Sequence, residues 1–199
     1  MLAILTGDII NSREVDIKTW LPKLKAILKT YGKSPKDWEI FRGDSFQLKV
    51  KIEEAFWTSI HIKSVVKQLD RLDARIGIGI GEESYTSKNI TESNGSAYIH
   101  SGESFESLKK DTLAIKSEHS EQDYILNLML QLIFPTIDNW TPTVSKIIKT
   151  YIENPKLNQK ELAKLLGKSQ SSVSEALNRG GYYELLKLNT FYVSQFKNG

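Results

Sequence analysis

Along the first 118 positions the apolar residues alternate between two periods. Leu2-Ala3-Ile4-Leu5-Thr6 is a short unbroken apolar run ending at Gly7, the pattern of a strand buried on both faces. Ile17, Trp20, Leu21, Leu24, Ile27 and Leu28 then recur at helical spacing over residues 16–31, and Gly32 ends them. Trp38–Phe41 and Ser45–Val50 flank Arg42-Gly43-Asp44, which predicts a β-hairpin with Gly-Asp at its tip. A helix over about 52–70, a strand over Asp73–Ile80, a helix over about 94–110 and a strand over Thr112–Lys116 complete this part. The order β-α-β-β-α-β, with one further α-β, predicts an α+β fold. Its sheet is expected to be ferredoxin-like and antiparallel, with the helices on one face.

The pattern changes after residue 120. Residues 121–138 form an apolar helix with Pro135 near its end, and Trp140-Thr141-Pro142 breaks it. Three parts are therefore expected: residues 1–120, a connecting helix over 121–140, and a small all-α unit over 141–199. The last of these is small for independent stability, so it should lean on the 121–138 helix or on a partner chain. Within it, Val144, Ile147, Ile148 and Tyr151 mark a first helix over Thr143–Glu153. Leu157–Arg179 then reads as two short helices around a tight turn. Asn158 caps the first, Glu161 completes a capping box, and Gly167 stops it. Ser169 caps the second, whose inward side is Val173, Ala176 and Leu177.

Lys168, Ser169, Gln170, Ser171, Ser172, Ser174, Glu175, Asn178 and Arg179 are left on the outward side. Short hydrogen-bonding side chains near a helix N-terminus are what a major groove admits, so these residues predict a DNA-binding helix-turn-helix. An ordinary helical hairpin with a solvated polar face gives the same pattern. The aromatic tail Tyr182, Tyr183, Phe191, Tyr192 and Phe196 predicts a packing or dimerising helix.

Charge sharpens this division. Residues 1–140 carry 18 Lys and Arg against 20 Asp and Glu, whereas residues 141–199 carry 9 against 4, so the basic excess accompanies the two-helix motif. There are no cysteines, which excludes disulfides and thiol catalysis, and His61, His100 and His119 lack metal-ligand spacing. The longest apolar stretch, Tyr124–Phe134, is too short to cross a bilayer. Met1–Leu5 lacks the basic flank of a signal peptide, so a cytoplasmic protein without a membrane partner is expected.

Chemistry is expected where topology joins distant residues. In a split βαβ arrangement the third strand lies antiparallel beside the first, so Gly7-Asp8 meets Gly43-Asp44. Two facing carboxylates repel unless a cation lies between them, and hard oxygen ligands suit Mg²⁺, which recruits phosphates. Asn11, Ser12 and Arg13 follow Asp8, with backbone N–H groups expected to be free for a phosphate chain and Arg13 as a charged donor. Taken singly, Asp8 and Asp44 also read as ordinary turn residues. Gly77, Gly79 and Gly81 lie within a strand and read as space for a helix or ligand, while Ile76, Ile78 and Ile80 pack on the other face. Trp20, Trp38, Trp57 and Trp140 read as core.

Thr6-Gly7-Asp8-Ile9 with Arg42-Gly43-Asp44-Ser45-Phe46 resembles the metal-binding pair of the nucleotide-cyclase and diguanylate-cyclase palm. Asp73-Ala74-Arg75-Ile76-Gly77-Ile78 is similar to a later Arg-x-Gly-Ile strand of that superfamily. The whole layout, with Asn94-Gly95-Ser96-Ala97-Tyr98 and the C-terminal two-helix motif, resembles the SatD family over nearly the entire chain. The resemblance implies a cytoplasmic bacterial protein, with Asp8 and Asp44 holding Mg²⁺ and with Asn11, Ser12, Arg13, Arg42, Gly43 and Arg75 around a nucleotide or phosphate.

One departure weighs against turnover. Gly95–Glu103 has neither the Asn nor the Arg that cyclases place there for ribose and phosphate. Phosphoryl transfer depends on positioning and charge stabilisation, so losing those groups should cost rate more than binding. The expectation is a homodimeric DNA-binding transcriptional regulator that senses a nucleotide or phosphorylated small molecule with Mg²⁺. The alternatives are an Mg²⁺-dependent nucleotidyl cyclase or nucleotidyltransferase, and an inert interaction protein.

Overall fold

A computed structural model describes residues 1–196; the end of the expected 141–199 unit lies outside the described residues. The fold is α+β, with a five-stranded sheet in the order β2-β3-β1-β4-β5. Strand β1 (Leu2–Ile10) is longer than its apolar run predicts. Asp8, Ile9 and Ile10 stay in register with β4 (Asp73–Gly81), Asp8 opposite Arg75 and Ile10 opposite Asp73. The hairpin strands β2 (Trp38–Phe41) and β3 (Ser45–Val50) fall where predicted, and β3 runs antiparallel to β1 as far as Gly7 opposite Phe46.

Two expectations about the sheet are corrected. It is mixed rather than antiparallel, because β5 (Leu113–Lys116) pairs parallel to β4 after a helical crossover, α3 (Ser96–Ser107). Its helices also lie on both faces rather than one. Helices α1 (Ile17–Tyr31) and α2 (Ile52–Val66) cover Ala3, Leu5, Ile9, Phe46, Leu48, Ile76, Ile78 and Ile80. Helix α3 covers the opposite face, where Ile4, Ile90, Ala97 and Tyr98 form a small second core. The alternating glycines of β4 explain this placement: a methyl group on Gly79 would strike Ser101 N and Ala97 O, and one on Gly77 would strike the Phe105 backbone.

The C-terminal helices are α4 (Ser120–Asp138), α5 (Pro142–Glu153), α6 (Gln159–Leu166), α7 (Gln170–Arg179) and α8 (Tyr182–Phe196). They share one hydrophobic core with the sheet. Helix α2 is the bridge. It is buried on nearly every side, packed between the sheet and helices α5 and α8, and its buried positions include Thr58, Ser59, His61, Lys63 and Ser64 beside the apolar ones. Phe56 and Trp57 meet Tyr192 and Tyr182, and the Tyr192 hydroxyl donates to Ile52 O at 2.8 Å. A unit too small for a core of its own thus completes the core of its neighbour. Trp20, Trp38 and Trp140 are buried and Trp57 is half-buried. Trp140 Nε1 donates to Gly180 O at 2.9 Å, tying the α4–α5 junction to the end of α7. Among the described residues, no helix is long and apolar enough to cross a membrane.

Candidate functional site

The register of β1 on β4 sets Asp8 beside Arg75. Arg75 Nε donates to Asp8 Oδ1 at 3.0 Å and Nη2 donates to Oδ2, a bidentate pair. These hydrogen bonds push the guanidinium above its ordinary value, with a further contribution from the charge of Asp44. Phe105 of α3 lies under the same guanidinium, 5.4 Å from ring centroid to Cζ. Asp44, just past the hairpin tip, accepts from the Ser12 hydroxyl at 2.5 Å. The chain between them turns through Asn11, at φ +59°, whose amide donates to Arg71 O at 2.9 Å.

These groups line one cleft of about 530 Å³, within the size range of small-molecule sites. Its wall includes Asp8, Asn11, Ser12, Arg13, Asp44 and Arg75, so topology does bring the two aspartates to one opening. Arg42 and Gly43 do not line it; they form the exposed hairpin tip, at φ +52° and +94°. The expectation of free N–H groups after Asp8 is corrected at Ser12, whose N–H donates to Ile9 O at 3.3 Å, while Ile9 and Ile10 lie in register with β4.

Lys109, Lys110, Asp111 and Thr112 complete the wall, and the sequence reading missed them. The parallel crossover carries the loop before β5 to the end of β4 that holds Arg75, and only strand order reveals this. The signal available in the sequence was the Lys-Lys pair just before the last strand.

Arg75 already supplies the positive charge that the facing carboxylates require. Both Asp8 oxygens accept from it, so a bare divalent ion bridging the two aspartates would have to displace Arg75 from Asp8. Among the described residues, no group of three or more His, Asp or Glu side chains converges on a metal position. As held, the pair suits an anion brought to Arg75 better than a cation brought to Asp8.

A second charged cluster lies close by and is more deeply buried, with Lys63 inaccessible while Lys67, Asp73, Thr112 and Asp138 border a neighbouring cavity of about 340 Å³. Lys63 Nζ, fully buried, donates to Asp73 Oδ1 at 2.8 Å, Ala74 O at 2.9 Å and Thr112 Oγ1 at 2.9 Å. Lys67 Nζ donates to Asp73 Oδ2 and to Asp138 O, both at 3.0 Å. Burial pushes the Lys63 ammonium down against the pull of Asp73. Burial would raise the Asp73 carboxyl, but the two lysines outweigh it and hold it below its ordinary value.

The α6–α7 surface is built as the sequence predicts locally. The Asn158–Glu161 capping box is present, Gly167 takes φ +63°, and the Ser169 hydroxyl accepts from Ser172 N. Val173, Ala176 and Leu177 are buried. Lys168, Ser169, Gln170, Ser171, Ser172, Glu175, Asn178 and Arg179 are exposed, Ser174 is half-buried, and Arg179 pairs with Glu175 at 3.7 Å.

No curated protein and no solved structure matches the chain. The model of the SatD family matches residues 1–190, carrying both the cleft and the exposed face of α7, and the protein belongs to the SatD family.

Proposed function

We propose that this protein is a DNA-binding regulator, active as a cytoplasmic homodimer, whose Asp8–Arg75 cleft binds a nucleotide or another phosphorylated small molecule. The observation that carries the reading is the row from Lys168 to Arg179. It presents hydrogen-bonding side chains to solvent from a helix whose other side is fully packed. Helices α6 and α7 then act as a helix-turn-helix, with the basic excess of the C-terminal part meeting phosphates. The antiparallel order β4-β1-β3-β2 supports reading the sheet as a ferredoxin-like palm with β5 added.

In the cleft, a phosphate would exchange for Asp8 as the bidentate partner of Arg75, with Arg13, Lys109 and Lys110 at the rim. Mg²⁺ would enter with the phosphates, Asp8 and Asp44 being its protein ligands once Arg75 has turned to the anion. Helix α3 offers no Asn or Arg of its own toward ribose or phosphate, which favours binding over turnover.

Fluorescence anisotropy on genomic DNA fragments tests the first half. Specific binding should weaken steeply with salt, and Gln170→Ala or Arg179→Ala should lower affinity on the order of tenfold, about 1–3 kcal/mol per lost base contact. Unchanged affinity in both variants removes the recognition-helix assignment. A thermal-shift panel of nucleotides and inorganic phosphate, with and without Mg²⁺, tests the second half. Any product from labelled ATP or GTP that is lost in Asp8→Ala and Asp44→Ala would replace this reading with an enzymatic one. The observation favouring that rival is the shared cleft of the two aspartates.

A further inference from the structure

Helix α4 is apolar on two sides. Leu126, Leu130, Phe134 and Ile137 are buried in the core. Tyr124, Ile125, Leu128 and Leu132 face away from it, 70%, 43%, 44% and 75% exposed. Ile125, Leu128, Leu132 and the exposed Pro135 follow the alternating three- and four-residue spacing of a seam between packed helices. The helix carries no charge between Asp123 and Asp138, and Asp123 is buried against Ser117. A contiguous exposed apolar patch of this size marks an interaction site.

Two features select a second copy of this chain as the occupant. Tyr124 and Leu132, the most exposed members of the stripe, stand four residues to either side of Leu128. An antiparallel pair of α4 helices about a two-fold axis therefore sets Leu128 on Leu128 and Tyr124 on Leu132. The two ends differ in charge. Glu118 and Glu121 are exposed at the N-terminal end. Lys109 and Lys110 are exposed at the other, on the loop whose Asp111 accepts from Gln131 Nε2 at 3.2 Å, with Asp138 exposed at the helix end beside them. The two-fold brings Glu118 and Glu121 of one copy toward Lys109 and Lys110 of the other, whereas parallel pairing sets the glutamates together.

We infer that the outer face of α4 is a homodimer interface, antiparallel and centred on Leu128. The four large side chains expose about 400 Å² of apolar surface per copy, judged from the usual size of such side chains. With its polar rim the pair approaches the roughly 1,200 Å² at which specific interfaces begin. The interface stands whether or not α7 meets DNA.

Sedimentation velocity of the full chain at tens of micromolar should show a dimer. Leu128→Glu, which faces two carboxylates across the axis, should give a monomer with unchanged circular dichroism and melting temperature, because the residue is surface-exposed. The chain has no cysteine, so oxidised Leu128→Cys should yield a single disulfide-linked dimer, and Leu165→Cys on exposed α6 should yield none. Lys109→Glu with Lys110→Glu should weaken the dimer, and adding Glu118→Lys with Glu121→Lys should restore it. A monomeric wild-type chain, a dimer that survives Leu128→Glu, or equal cross-linking at 165 would each overturn the inference.

Discussion

Strand β4 carries two charge clusters within three residues of each other, and they are built to opposite ends. At Asp73 two lysines, a backbone carbonyl and the Thr112 hydroxyl close around the carboxylate–ammonium network, and Lys63 has no contact with water. At Arg75 a bidentate pair with Asp8 opens onto a cleft, and the guanidinium side chain is 36% exposed. Both are ion pairs between neighbouring elements. The buried one is satisfied internally, each Asp73 oxygen and each lysine already held by a protein partner even where Lys67 and Asp73 border a cavity. The open one leaves its charge where an anion can compete for it. Water access, rather than the presence of charge, separates a structural cluster from a candidate binding site.

The comparison is tested most severely by Lys63→Met. It leaves part of the Asp73 charge and the Thr112 hydroxyl without their partner in a dry interior, and the expected loss is about 3–5 kcal/mol by urea denaturation. Arg75→Met, tested in the same way without ligand, should cost about 1 kcal/mol or less, since its partner Asp8 remains within reach of water. Equal losses would erase the distinction between the two clusters.

A smaller effect concerns the ligand. A phosphorylated compound at about 100 times its dissociation constant should stabilise the wild-type chain by roughly 2.7 kcal/mol. Thermal shift should show this gain absent in Arg75→Met. A gain that survives the substitution would place the anion elsewhere.

The acid limb of the stability curve gives the smallest effect. Because the folded Asp73 carboxyl titrates below its ordinary value, the unfolded chain binds the proton first. Its stabilising contribution is complete above the ordinary carboxylate range and is lost as pH falls through the lowered value. Asp73→Asn should flatten that part of a pH series of unfolding curves.

Several parts of this architecture are legible from residue order. The hairpin at Arg42–Asp44 and the split β-α-β-β order bring Asp8 and Asp44 toward one another without knowledge of any side-chain contact. The Asn158–Glu161 box and the turn at Gly167 are equally local, depending on backbone groups within a few residues. Arg75 as the partner of Asp8 was not legible, because it follows from pairing 67 residues apart in sequence. The Lys109–Thr112 wall requires the parallel placement of β5, which no short-range signal encodes. Helix α3 was placed on the wrong face for a related reason. Its own periodicity is weak, and the glycines that admit it belong to another element.

Local chemistry therefore settles where strands, caps and turns occur, since propensity, periodicity and capping act over distances of a few residues. It also settles that residues 141–199 are basic and that α7 has one apolar and one polar side. Packing settles the rest. It decides that α2 is shared by the sheet and the C-terminal helices, that Lys63 is dry while Arg75 is wet, and that α4 keeps an apolar face outward. Burial is a property of what lies on the far side of a residue, and that neighbour comes from a distant part of the chain.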